Sequence, residues 1–207
     1  MPEKNLELER LVFFSDAVVA IAITLLALEL KIENVLHGHL KFEDLFGSWQ
    51  KFIAFFLSFF IIALFWKIHH QFFHHIHKID SKLLWYNMCW LLFIVLLPFT
   101  TSLISSYFFD TPAMSSYCFN VLFITIFQNQ IWDYVAVRPE YLKEKVTRSV
   151  VDDYRLSCNI AMINALLAVV VSFLNTPLAF VILFLRLPMI YFARQIFKPD
   201  LALKFFV

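Results

Sequence analysis

The sequence predicts an all-α membrane protein, a bundle of six transmembrane helices forming a single domain over residues 1–207. Three observations predict it. The chain is 61% hydrophobic and holds 26 phenylalanines in 207 residues, whereas soluble domains sit nearer half apolar. Charged residues make up only 16% and cluster between apolar runs. Six of those runs reach the roughly 20 residues that, at about 1.5 Å of rise each, cross a hydrocarbon core of about 30 Å.

The expected spans are about 10–30, 49–73, 83–105, 112–137, 153–174 and 177–197. The first opens with "RLVFFSDAVVAIAITLLALEL". Residues 1–9 lack the basic start and small-residue cleavage site of a secretory signal, so this run reads as a retained span. The second ends in a histidine-rich stretch, "FWKIHHQFFHHIH". Pro112 and Pro177 stand at helix starts, and Pro139 follows a helix end. Lys and Arg are unevenly shared between the loops. Lys4, Arg10, Lys78, Lys82, Arg138, Lys143, Lys145, Arg148, Arg155, Arg194, Lys198 and Lys204 fall on one side. Lys31, Lys41 and Lys51 fall on the other. By the positive-inside rule both termini are cytoplasmic, in a multi-pass protein of the plasma (inner) membrane.

Composition narrows the function. A net charge of +1 gives no reason to expect a nucleic-acid partner. Cys89, Cys118 and Cys158 lie inside apolar stretches, which argues against a disulfide framework or a metal cage. The two glycines, Gly38 and Gly47, fall in the first loop. A glycine-rich phosphate cradle, a GxxxG helix contact and a backbone-carbonyl ion filter are therefore all excluded. Any ion selection must come from side chains on helices.

On a wheel at about 100° per residue, Ala17, Ile21, Thr24 and Leu28 form one stripe of the first span. Ser15 and Asp16 sit roughly 110–150° away from it. Ala20 and Ala27 fall on the aspartate's side, where small residues suit close helix packing. A carboxylate in a membrane needs a partner. The second span supplies two donors at the matching depth, the Trp66 indole and His69. A network of Asp16, Ser15, His69 and Trp66 would pin the first span to the second, with Arg10 near the mouth of the stripe.

These residues carry a resemblance. "RLVFFSD" matches the RxxxFSD signature of the transmembrane protein 175 family of potassium channels. "FWKIHHQFF" resembles that family's second-span Trp and His pattern, and "LLPFTTSL" resembles its third span. The resemblance implies a potassium-selective cation leak channel, not an enzyme, with K+ as permeant ion and no cofactor. A single RxxxFSD copy implies the bacterial form, a homotetramer in the lipid bilayer. It also implies a central pore lined by the first helix, with an apolar constriction as gate and filter. The family's pore positions fall on Ile21, Thr24 and Leu28, within the stripe that also holds Ala17. Its FSD residues and second-span histidine correspond to a structural network of Arg10, Ser15, Asp16, Trp66 and His69.

Other readings stay open beside these. The stripe suits plain helix packing as well as a pore. Asp16 and His69 suit a proton-coupled transporter or a proton-permeable channel, since histidine titrates near neutral pH. His70, His74 and His77 share i, i+4, i+7 spacing, which fits either a metal site or a solvated helix end. Arg186, inside the sixth span, either pairs with an acid or reaches cytoplasmic water.

Overall fold

The computed structural model describes residues 6–31 and 42–197. Lys4, Gly38, Lys41, Lys198 and Lys204 lie outside the described residues. Among the described residues eight α-helices follow in order: α1 (Leu6–Leu25), α2 (Phe42–Gly47), α3 (Trp49–His75), α4 (Ser81–Ser106), α5 (Thr111–Ala136), α6 (Arg148–Ser172), α7 (Thr176–Phe184) and α8 (Arg186–Phe197). A 3-10 turn, Leu26–Glu29, prolongs α1.

The expectation of six spans is corrected here. Among the described residues four helices are long and apolar enough to cross a membrane: Leu6–Glu29, Trp49–His75, Ser81–Ser106 and Arg148–Ser172. A fifth is reached only if α7 and α8, bent by 47° at their junction, count as one broken span. The expected fourth span does form a long helix, α5, but its sequence is mixed. Asn120, Thr125, Gln128 and Asn129 are buried along it, and it packs between α4 and α6. Its polar groups are satisfied inside the bundle: the Gln128 amide donates to the Phe65 carbonyl at 2.9 Å, and the Asn120 amide donates to the Thr100 hydroxyl at 3.2 Å. Burying such groups is tolerable only with partners.

The core is aromatic and aliphatic. Trp90, Trp132, Tyr117, Phe65 and Phe72 are among the largest fully buried side chains. Polar cross-links tie the helices together: the Thr101 hydroxyl donates to Ser58 at 2.7 Å, Ser58 and the Tyr117 hydroxyl lie 3.0 Å apart, and the Trp132 indole donates to the Val151 carbonyl at 3.1 Å.

The Lys/Arg-rich end of the bundle is closed by backbone pairing between two loops. The His77 N–H donates to Tyr141 O at 2.9 Å, and Lys143 N–H to His75 O at 2.9 Å. Asp80 caps α4 by accepting from the Leu83 N–H at 2.8 Å, as short polar residues do at helix starts. Its other oxygen accepts from the hydroxyls of Tyr134 and, at 2.9 Å, Tyr141. The Arg138 guanidinium lies 4.0 Å from the Tyr134 ring centroid. Burial alone would raise the Asp80 pKa. The bonds from Tyr134, Leu83 and Tyr141 and the nearby Arg138 charge outweigh it and hold the carboxyl below its ordinary value.

Candidate pore face and its anchoring network

The two faces of α1 differ sharply. Leu11, Ser15, Val19 and Ala22 are buried, as is Leu26 just beyond, against α3 and α4. The opposite arc is exposed. Ile21 and Leu28 are 60% and 61% exposed; Arg10, Ala17 and Thr24 are exposed too. The arc is wider than the stripe, because Phe13, Phe14, Ala20 and Ala27 also lie on it. Ala20 and Ala27 therefore do not pack inside the subunit as their small size suggested. Leu28 sits on the 3-10 turn, which winds more tightly than the ideal wheel. The Thr24 hydroxyl donates to the Ile21 carbonyl at 2.8 Å. Its proton is thus committed, and its oxygen lone pairs are left for a partner outside the helix.

Behind this face run two sets of hydrogen bonds. The Trp66 indole donates to Asp16 at 2.8 Å, linking α3 to α1. Separately, Ser15, Asn87 and His69 form a chain across α1, α4 and α3. The Asn87 amide donates to Ser15 Oγ at 2.9 Å, and Ser15 donates on to the Leu11 carbonyl at 2.9 Å. Asn87 Oδ1 and His69 Nε2 are 2.7 Å apart. That oxygen can only accept, so His69 carries its proton on Nε2. His69 stacks on Trp90 with centroids 4.2 Å apart, and its Nδ1 is buried with no hydrogen-bond partner. Ser15, Asn87 and His69 are all fully enclosed.

The structure thus brings Asp16 to Trp66, and Ser15 to His69 through Asn87. Among the described residues it does not bond His69 to Asp16, and no hydrogen bond or ion pair brings Arg10 into either set. Asn87 is absent from the sequence reading. An asparagine in the apolar run "LLWYNMCWLL" was the available signal, since polar residues within a span default to a role. The Asp80, Tyr134 and Tyr141 cluster left no such trace, because its members lie 54 and 61 residues apart in sequence.

The remaining candidates are placed as follows. α3 ends at His75, and Ile76 turns to extended backbone, so His77 leaves the helical face that would have joined it to His70 and His74. Among the described residues no group of three or more His, Cys, Asp or Glu is arranged to hold a metal. Arg186 opens α8 and is only 5% exposed.

Most of the chain is similar to known proteins. A potassium channel of Chamaesiphon minutus is 33% identical over 156 residues, covering 73% of this chain and 76% of that one. The chain belongs to the TMEM175 family. The family model described as "Endosomal/lysosomal potassium channel TMEM175" matches residues 10–98, which include most of α1, Trp66, His69 and Asn87. The crystal structure of a lysosomal potassium-selective channel TMEM175 homolog from Chamaesiphon minutus superposes with a TM-score of 0.79. It covers 92% of this chain and 98% of that one at 29% identity. Animal members named endosomal/lysosomal proton channel TMEM175 match in part. The Gallus gallus protein is 34% identical over 137 residues, which is 60% of this chain and 27% of that protein. The chain is thus a multi-pass membrane protein of an ion-channel family.

Proposed function

We propose that this chain forms a modestly potassium-selective cation leak channel in the cell membrane, as a homotetramer with α1 of each copy around a central axis. The observation that carries the reading is the exposed face of α1. A helix anchored from behind by Ser15, Asp16, Trp66, Asn87 and His69 presents Ile21 and Leu28 outward with Thr24 between them. One helix cannot enclose a path, and cyclic symmetry supplies the others. Four Ile21 side chains then form a ring narrow enough to gate by dewetting. Thr24 offers a lone pair toward a partly dehydrated ion, and Ala17 leaves width on the Lys/Arg-rich side. Sodium holds its water more tightly than potassium, so an apolar ring penalises it more. Relatives named potassium channel support the choice of ion. The basic residues gathered where α3 ends and α4 begins support a cytoplasmic placement of that end and of both termini.

The test is flux from the purified full-length protein in liposomes. A potassium gradient is expected to drive rapid, non-saturating flux, with sodium slower. Absence of flux without a proton gradient would refute the channel.

The animal relatives' name favours one second reading, proton permeation past Asp16. Among the described residues the chain from Ser15 ends at the unpartnered His69 Nδ1, so no continuous hydrogen-bonded path supports a proton relay. A pH-sensitive dye trapped in the same liposomes distinguishes the two. Acidification without any cation flux would favour the proton reading.

A further inference from the structure

Arg186 presents a problem that the channel reading leaves untouched. It sits at the break between α7 and α8, 95% buried in a chain that spans a membrane (5% exposed). The ion pairs Arg148 with Asp152 and Arg155 with Asp133 do not include it. Its guanidinium lies over the Phe65 ring, 4.2 Å from the centroid. That contact satisfies the flat face of the group and leaves its edge, where the N–H donors point. Nη1 is buried with no hydrogen-bond partner. A buried charge without a counter-charge is among the costliest arrangements in a protein interior, and still more so at membrane depth.

Arg186 lines a small cavity between α3, α6 and α8, of about 30 Å³, together with Lys67, Gln71, Tyr154 and Ser157. Two of the lining residues are cationic, and no Asp or Glu lines it. A water needs roughly 10–15 Å³ of such space, so the cavity admits one or two atoms of that size. Lys67 lies eight residues before the end of α3, about 12 Å in from the basic end at 1.5 Å per residue. That depth is within reach of the inner headgroup layer.

We propose that this cavity is an anion site, in which a single anionic acceptor atom takes hydrogen bonds from Arg186 and is held electrostatically by Lys67. The chemistry fits a halide ion, or one phosphate oxygen of an anionic lipid reaching in beside Lys67. A whole polyatomic anion does not fit. The site is lined by α3, α6 and α8 and by no residue of α1, and it does not depend on the ion that α1 conducts.

The test uses delipidated full-length protein in neutral detergent at constant ionic strength, exchanging gluconate for chloride. It is repeated in gluconate with phosphatidylcholine vesicles, with and without phosphatidylglycerol. A halide occupant raises Tm saturably by about 2–4 °C, the shift a ligand at a few times its Kd gives a chain of this size, and Arg186→Gln abolishes the rise. Crystals grown in bromide then show an anomalous peak beside Arg186. A lipid occupant gives no chloride response, and a shift with phosphatidylglycerol that Arg186→Gln again removes. If Arg186→Gln does not fold, Lys67→Gln is expected to raise the half-saturating anion concentration several-fold. No anion dependence in either arm means the cavity holds water alone, and overturns the assignment. So does an unchanged half-saturating concentration in Lys67→Gln.

Discussion

Asn87 donates to Ser15 and receives from His69, so one amide holds three helices in register behind the exposed face of α1. Asn87→Ala leaves the enclosed His69 Nε2–H without its acceptor, while Ser15 keeps its bond to the Leu11 carbonyl. A stranded group costs about 1–3 kcal/mol, and thermal unfolding is expected to fall by at least about 2–4 °C; an unchanged Tm would show that the chain is dispensable. Asp16 is the other anchor, and Asp16→Ala leaves the Trp66 indole without its acceptor. The expected result is less assembled protein on size-exclusion chromatography, with surviving channels keeping the parent ion preference. Stable assemblies with altered preference would contradict a purely supporting role. Ser15, Asp16, Trp66 and His69 were legible from sequence because they sit in a recognisable motif and at matching depth. Asn87 was not, because attention to formal charge passes over a neutral amide that can both donate and accept.

Helix existence was legible from apolar runs, whereas the number of spans was not. Length and a tolerance for scattered polar residues made α5 look like the others, yet Asn120, Gln128 and Asn129 mark a helix turned toward its neighbours. The break before Arg186 was also hidden: the apolar run continues through it, and only packing shows the 47° bend. The spacing of His70, His74 and His77 misled for a related reason, since α3 stops at His75 and periodicity does not announce where a helix ends. The loop that stops it depends on Asp80. Its folded-state pKa lies below the ordinary aspartate value of about 3.9. Its stabilisation is therefore fully present above that value and is lost as pH falls through the lower folded value. Amides of residues 76–83 and 141–143 should lose exchange protection as pH falls below about 3.9. In Asp80→Asn that pH dependence should be absent. The same slope in the variant would place the titrating group elsewhere.

In the whole molecule, α1 is closed on one face by the bundle and open on the other. The inner face of α1 is closed by aliphatic side chains and a buried hydrogen-bond chain, and its outer face keeps Ile21, Thr24 and Leu28 exposed. The stripe was legible from its spacing of four, three and four. Its meaning was not, because an apolar face suits lipid, a neighbouring helix or a pore equally well, and a single chain does not contain the partners that would decide. The membership of the TMEM175 family and the anchoring behind α1 favour the pore. The most direct measurement is the potassium-to-sodium permeability ratio of Ile21→Asn against the parent, from reversal potentials in planar bilayers under bi-ionic conditions. A polar ring in place of an apolar one wets the constriction, so the account predicts larger currents and a ratio that falls toward one. Currents with the parent's ratio would show that Ile21 does not form the filter, and the pore would have to be sought on another face.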